Sequence, residues 1–448
     1  MPASPSTARA INDRLALTLL QQEGALTAGQ LKQLTGLSRP TVADLVERLT
    51  ASGLIAVVGE SGEQRRGPNA RLYGIVADRA CLAALDIRTE SVSVLVSDLV
   101  GRVLAEGSVP VGPEAGEAAA VEQAVELVER TATKAAASGG GRLHTVGIGA
   151  PGLIDPASGE LRDTAGLPAW HRRLVAAVQE RFPQARVSVE NETNLAALAE
   201  QREGAARDRD TFVLLWLGHG CGAAVVLDGS LRRGASGGTG EIGFLPVPGT
   251  PGLPSATDCA GGYHSLVAAA AITELAGRHG LFPAGSTGPG PAAAALVGEA
   301  VRGAGEGAEV SPGRRETGGD PSAPTKGAGP RSVDGDRGVG ATGHDGPAGD
   351  RPPASVEARF LDALADRIAV GVAAVVAVLD PGRVVLGGEI GAAGGDALAT
   401  RVEERLRRMS PLATEVRASV LGGEAVLRGA LLTARERAQD ELFAPRER

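Results

Sequence analysis

Along residues 14–22 the apolar positions Leu15, Leu19 and Leu20 recur at helical spacing, and Gly24 ends the segment. Thr27 and Gln30 open a second helix as a capping box, in which each side chain satisfies a backbone N–H near the helix start, and its buried face is expected at Leu31 and Leu34. Gly36 supplies a sharp turn, Ser38 can cap a third helix, and Pro40 suits that helix's first turn because its missing N–H is not needed there. Val42, Leu45, Val46 and Leu49 form one apolar stripe that stops at Gly53. Residues 54–58 and 70–75 then read as two strands flanking the polar loop GESGEQRRGPN. Helix, glycine turn, capped helix and hairpin together predict a winged helix-turn-helix over residues 1–78. The bland alternative is a small helical bundle with a solvated hairpin. In the winged-helix reading, Ser38, Arg39, Thr41 and Asp44 lie at the outward end of a recognition helix, where they would meet base edges. Arg65 and Arg66 sit at the wing tip, placed for phosphate or the minor groove.

From Cys81 the period changes to that of strands. Residues 82–87, 91–97 and 103–110 predict three strands, with Asp86 at the end of the first, followed by a helix over 118–137 and a strand over 145–149. PGLIDPASGEL predicts a turn and a short hairpin, and a second strand series starts at Thr211. Two similar units in one chain imply two lobes with a cleft between them. The stretch VSVENETNLAALAE, residues 187–200, gathers Glu190, Asn191, Glu192 and Asn194 where a strand gives way to a helix, which is where open α/β folds bind ligands. Those residues are therefore site candidates, although Asn191 or Thr193 could simply cap a helix that begins near Leu195.

Residues 303–355 contain no aromatic residue and no Leu, Ile or Met, so they cannot bury enough apolar surface to offset their ordering entropy and are expected to be a disordered insertion. The predicted organisation is thus a winged helix at 1–78, a two-lobed ligand-binding domain at 79–302 and 356–440, and the Gly/Pro-rich insertion at 303–355.

Charge is unevenly divided. The whole chain carries −8, but residues 1–79 hold nine Lys/Arg against seven Asp/Glu, a net of +2, which leaves −10 for the remainder. The two parts suit different partners. Cys81, Cys221 and Cys259 are odd in number and scattered, which fits a reducing cytoplasm better than a disulfide framework. The N-terminus lacks signal-peptide character, and the apolar run at 368–379 is shorter than the ~20 residues that span a bilayer, so no membrane association is expected.

The order of motifs (winged helix, DxGxT-like corner at Asp86, APG turn, ENxxN, GxGxG corner, GEIG and DPxxVVLGG) resembles the ROK family of bacterial sugar kinases and sugar-responsive regulators. The resemblance implies an α/β, two-lobed, actin-like ATPase fold. It also implies that Asn191, Asn194 and Glu241 hold sugar hydroxyls and that Glu192 occupies the position of the kinases' general-base Asp. Three phosphate-site elements depart from the pattern. Arg88 and Glu90 replace Gly and Thr of the first corner, His219 and Ala224 alter the second, and Glu389 follows Gly387 and Gly388. Backbone N–H groups need glycines to approach an anion closely, so these replacements argue against ATP use and no catalytic residue is expected. The family's structural zinc site also fails here: Phe244 stands at its His position and only Cys259 of its cysteines remains, with His264 nearby, so neither metal nor cofactor is expected.

The leading expectation is a cytoplasmic DNA-binding regulator, a repressor by analogy. It would act as a homodimer or higher homo-oligomer on double-stranded DNA and respond to a sugar or phosphosugar. One alternative is a ROK hexose kinase using ATP; another is a ligand-independent DNA-binding dimer.

Overall fold

The computed structural model describes residues 5–61, 70–112, 116–162, 167–250, 252–256, 260–283, 285, 288–309 and 355–444. Arg65, Arg66, Cys259 and residues 310–354 lie outside the described residues.

The N-terminal unit comprises α1 (Pro5–Glu23), β1 (Leu26–Thr27), α2 (Ala28–Thr35), α3 (Arg39–Ala51), β2 (Ile55–Ser61) and β3 (Ala70–Ile75), its strands ordered β1-β3-β2. Local chemistry sets its boundaries. Thr27 and Gln30 form the capping box, and Gly36, at φ 70°, takes the left-handed turn that ends α2. Ser38 accepts from the Thr41 N–H at the start of α3. The burial expected of Leu34 is corrected, and the buried face of α1 differs from its apolar spacing. Leu15 is exposed and Leu19 only half-buried, because the face of α1 that meets α3 and β3 carries Ala16, Leu17 and Leu20. Leu34 is exposed as well: α2 ends at the next residue, and Leu37, beyond the Gly36 turn, packs against the core.

The first lobe contains β4 (Cys81–Ile87), β5 (Ser91–Asp98), β6 (Val103–Pro110), α4 (Glu117–Ala137), β7 (Leu143–Ala150), α5 (Trp170–Arg181), β8 (Arg186–Asn191) and α6 (Glu192–Glu203). The second contains β9 (Phe212–Leu217), β10 (Cys221–Leu227), β11 (Ser230–Arg232), α7 (His264–Val267), α8 (Ala269–Arg278), α9 (Pro289–Glu309), α10 (Val356–Leu379), β12 (Arg383–Gly387), α11 (Gly388–Met409) and β13 (Glu415–Ala418). The last helix is α12 (Ala425–Leu442). The two sheets, β6-β5-β4-β7-β8 and β11-β10-β9-β12-β13, share one topology: an antiparallel meander of the first three strands, then two parallel strands added beside the first. The hairpin corners after β4 and β9 are therefore equivalent.

One boundary of the expected insertion moves. Helix α9 continues to Glu309, so residues 303–309 are helical, and Val301 and Ala304 pack on the second-lobe core. At the other boundary, Ser355 caps α10 by accepting from the Ala358 N–H at 3.2 Å.

Each lobe has its own apolar core, and a further cluster, with Leu195, Ala197, Phe212, Trp216, Val385, Val426 and Ala430, joins them through α6 and α12. Helix α12 approaches its neighbours at backbone distance. A Cβ on Gly147 of β7 would stand 2.5 Å from the Ala430 carbonyl oxygen, and one on Gly429 would overlap the Leu195 carbonyl of α6. The far end of α12 enters the winged-helix core: Ala434 and Ala438 share a cluster with Leu17, Leu20, Ile75, Leu82 and Leu99. Gln439 donates to Gln21 Oε1 at 2.9 Å and to the Leu99 carbonyl at 3.2 Å, Gln21 donates to the Val100 carbonyl at 3.1 Å, and Arg14 pairs with Asp440. The winged helix is thus packed onto the first lobe through a shared core.

Candidate functional site

The polar strand end expected at residues 190–194 lies where β8, parallel to β7, meets α6, with Asn191 in register with Ala150 at the start of the Pro/Gly turn. The helix begins at Glu192, three residues earlier than expected, because Asn191 is its cap: Oδ1 accepts from the Thr193 and Asn194 N–H groups at 2.9 and 3.2 Å. Its amide nitrogen donates to the Gly152 carbonyl at 3.1 Å and to Glu192 Oε2 at 2.8 Å. With every polar atom engaged, Asn191 positions Glu192 and ties the APG turn to the helix start. Asn194 donates to Glu190 Oε1 at 3.0 Å, and Glu190 Oε2 receives Arg233, which follows β11 of the second lobe, at 2.6 Å.

Glu192 faces a crowd of charge. Burial pushes its carboxyl up to about 8; its own backbone hydrogen bond and Arg88 oppose the rise, while Asp86 and Glu241 add to it. Glu241 precedes a short 3₁₀ turn, Ile242–Phe244, and is exposed. The structure therefore gathers Glu192 with Asn191 and Asn194 in one hydrogen-bonded corner, with Glu241 near enough to act on Glu192 electrostatically. Asp86, buried at the end of β4, also has its pKa raised by burial, with Arg88 opposing.

Two of the departures from a phosphate site, Arg88 and Glu389, meet. Arg88 Nε donates to both carboxylate oxygens of Asp86 at 2.8 Å, its Nη1 pairs with Glu389 at the start of α11, and its guanidinium lies 5.1 Å from the Trp216 ring centroid. Burial works against the charged guanidinium, but Asp86 and Glu389 outweigh it and hold the proton more firmly than in water.

Of the DNA-facing candidates, Ser38 and Arg39 are exposed at the first turn of α3, and the Ser38 and Thr41 hydroxyls are hydrogen-bonded at 2.7 Å. Asp44 is exposed but engaged by Arg48, which also donates to Asp13 of α1 at 2.6 Å. His264 starts α7 beside Gly220; burial and then His219 lower its pKa. No cluster of three or more His, Cys, Asp or Glu set to hold a metal occurs among the described residues.

A model of the ROK family matches residues 82–278, and one of the MarR family matches residues 12–67. Residues 82–278 are thus similar to a ROK-family domain, and the segment before them to a MarR-type winged helix. The chain is similar to a xylose repressor of Caldicellulosiruptor bescii, 27% identical over 239 residues, which are 53% of this chain and 59% of the relative. It is also similar to the DNA-binding transcriptional dual regulator NagC of Escherichia coli K12, 26% identical over 53% of this chain and 57% of that protein. The matched part thus spans less than two thirds of either relative. Among solved structures, a ROK family transcriptional regulator described as a homologue of E. coli MLC superposes with a TM-score of 0.67 at 19% identity, covering 97% of this chain and 98% of that one. A ROK hexokinase from Thermus thermophilus superposes with a TM-score of 0.54 at 25% identity, covering 80% and 99%. The two-lobed ROK fold and the winged helix before it are those expected from the sequence.

Arg88, Arg233 and Glu389 are the cleft residues that sequence reasoning did not place in the site. Arg88 and Glu389 were visible only as departures from a phosphate pattern. The spacing Asp86-x-Arg88 was a signal for the first of their contacts, since residues two apart on a strand end share a face.

Proposed function

We propose that the chain is a DNA-binding transcriptional repressor whose ROK domain senses a sugar without transferring phosphate. The observation that carries this reading is the winged helix packed through a shared core onto a ROK domain whose phosphate corners are bridged by the Arg88–Glu389 ion pair. Arg88 and Glu389 are paired at the corners where a phosphate would need open backbone N–H groups, which argues against the kinase reading. Asn191, Glu192, Asn194 and Glu241 would meet the effector, and the names of the xylose repressor and NagC relatives support a sugar-derived one. Ser38, Arg39, Thr41 and Asp44 would face the major groove, with Arg65 and Arg66 on the wing. The division at residues 78 and 79 separates the DNA reader from the sensor. A homodimer in the cytoplasm would present two recognition helices to half-sites about 34 Å apart or a multiple of that.

Replacing Arg39 tests the DNA reading. In a gel shift on the gene's own upstream region, Arg39→Ala should bind at least ~10-fold more weakly than wild type, the scale of one lost base contact. Its melting temperature should not change, because the side chain is exposed. Undiminished binding of a specific fragment would remove α3 from the interface.

The kinase reading is checked separately. A coupled ATP assay over a panel of hexoses should give no turnover above background. Hexose-dependent turnover that disappears in Glu192→Gln would replace the sensor reading with an enzymatic one.

A further inference from the structure

The corner after β4 reaches across the cleft with both of its unusual residues. Arg88, anchored on Asp86 of the first lobe, holds Glu389 at the N-terminus of α11 in the second. Glu90 extends to the N-terminus of α9: a Cβ on Gly288 would overlap its carboxylate. The two carboxylates lie at places suited to anions. Glu389 Oε2 lies 2.5 Å from where a Gly218 Cβ would stand, so it fills the glycine corner after β9, and both Glu90 and Glu389 sit at helix N-termini, where the peptide dipoles favour negative charge. Glu389 Oε2 has no hydrogen-bond donor among the described residues, so Arg88 is the group that holds this carboxylate in the corner.

We propose that Arg88 determines the specificity of the cleft: it seats the chain's own Glu389 carboxylate in the anion-binding corner at Gly218, so that the far end of the cleft is filled from within and admits no phosphate group of a ligand. The effector is then an uncharged or cationic polyhydroxy compound held at the α6 end, where Glu192 and Asn194 lie, and a phosphosugar is excluded. This ligand class rests on the sensor reading above, whereas the seating of Glu389 by Arg88 does not. The same contact joins the lobes. Asp86 is on β4 and Glu389 on α11, so Arg88 is one of the links between the lobes.

The test is hydrogen exchange followed by mass spectrometry on the full-length chain, comparing wild type, Arg88→Gln, Glu389→Gln and the double variant. Loss of a charge-assisted contact between the lobes should speed exchange at the β9–β10 corner and the first turn of α11 about 10-fold in each single variant. The double variant should exchange no faster than either single, because both remove one contact. Unchanged rates in the single variants, or rates that multiply in the double, would overturn the proposal. If Arg88→Gln fails to fold, Arg88→Lys keeps the charge without the planar fork and should give an intermediate rate; a rate equal to wild type contradicts the role of the fork.

The anion arm uses inorganic tripolyphosphate as its probe, with thermal shift as the readout. Wild type should show no stabilisation at millimolar tripolyphosphate. Stabilisation of wild type that is undiminished in Arg88→Gln would show that the corner is open and sink the specificity claim. Undiminished DNA binding by Arg39→Ala, by contrast, would touch only the regulator reading.

Discussion

At pH 8.5, Glu192→Gln should melt about 5 °C or more above wild type, and below pH 4.5 the two should melt together. The sign follows from linkage. The Glu192 carboxyl titrates near 8 in the fold against 4.5 as the ordinary value, so between these pH values the folded state binds the extra proton and the unfolded state does not. Its contribution to stability is complete below 4.5 and is lost as pH rises towards 8. At about 1.4 kcal/mol per pH unit, the loss over that window is on the order of 4 kcal/mol. Glutamine mimics the neutral carboxyl at every pH and escapes the loss. A melting difference that does not grow with pH, or a variant less stable at pH 8.5, would refute the buried neutral carboxyl. The same protonation gives the cleft a hydrogen-bond donor at neutral pH, a property suited to holding a ligand oxygen.

Gly429→Ala should cost about 3 kcal/mol or more of stability, at the upper end of overpacking effects. The added methyl group would overlap the Leu195 carbonyl oxygen and stand 2.5 Å from its carbon, and both belong to the backbone of α6, which cannot move aside as a flexible side chain could. Because α6 starts at the Asn191 cap and α12 ends among Leu17, Leu20 and Gln21 of the winged helix, displacing one helix against the other disturbs both the cleft and the DNA reader. The variant should therefore also bind operator DNA more weakly at temperatures where it remains folded. Gly423→Ala is the control: its added Cβ meets nothing within 4 Å, so its stability should change by less than about 1 kcal/mol. Equal melting temperatures for the two variants would show that the α6–α12 crossing has room to spare.

The winged helix was legible because each boundary is written within a few residues. Thr27 with Gln30, Gly36, and Ser38 with Pro40 all act over one helical turn, and the structure follows them closely. What failed there was burial. Leu15 and Leu34 fit an apolar period yet are exposed, since the face that is covered depends on where α1 and α2 meet their neighbours. In the cleft, Asn191 was legible both as a cap and as a site residue, and it caps. The Arg88–Glu389 pair was not legible, because its partners are separated by 301 positions and meet only when two lobes close.

The sequence by itself determined the order of elements, the capped α3 with Arg39 at its outer end, the twin ROK lobes and the acidic corner at the start of α6. All of these rest on short-range backbone hydrogen bonding and on the period of apolar residues. Only the tertiary structure decided that burial pushes the Glu192 carboxyl up to about 8, that Arg88 seats Glu389 in a glycine corner, and that α12 runs between the lobes and the winged helix. Desolvation and ion pairing act through space, so their outcome depends on which distant segments are brought together.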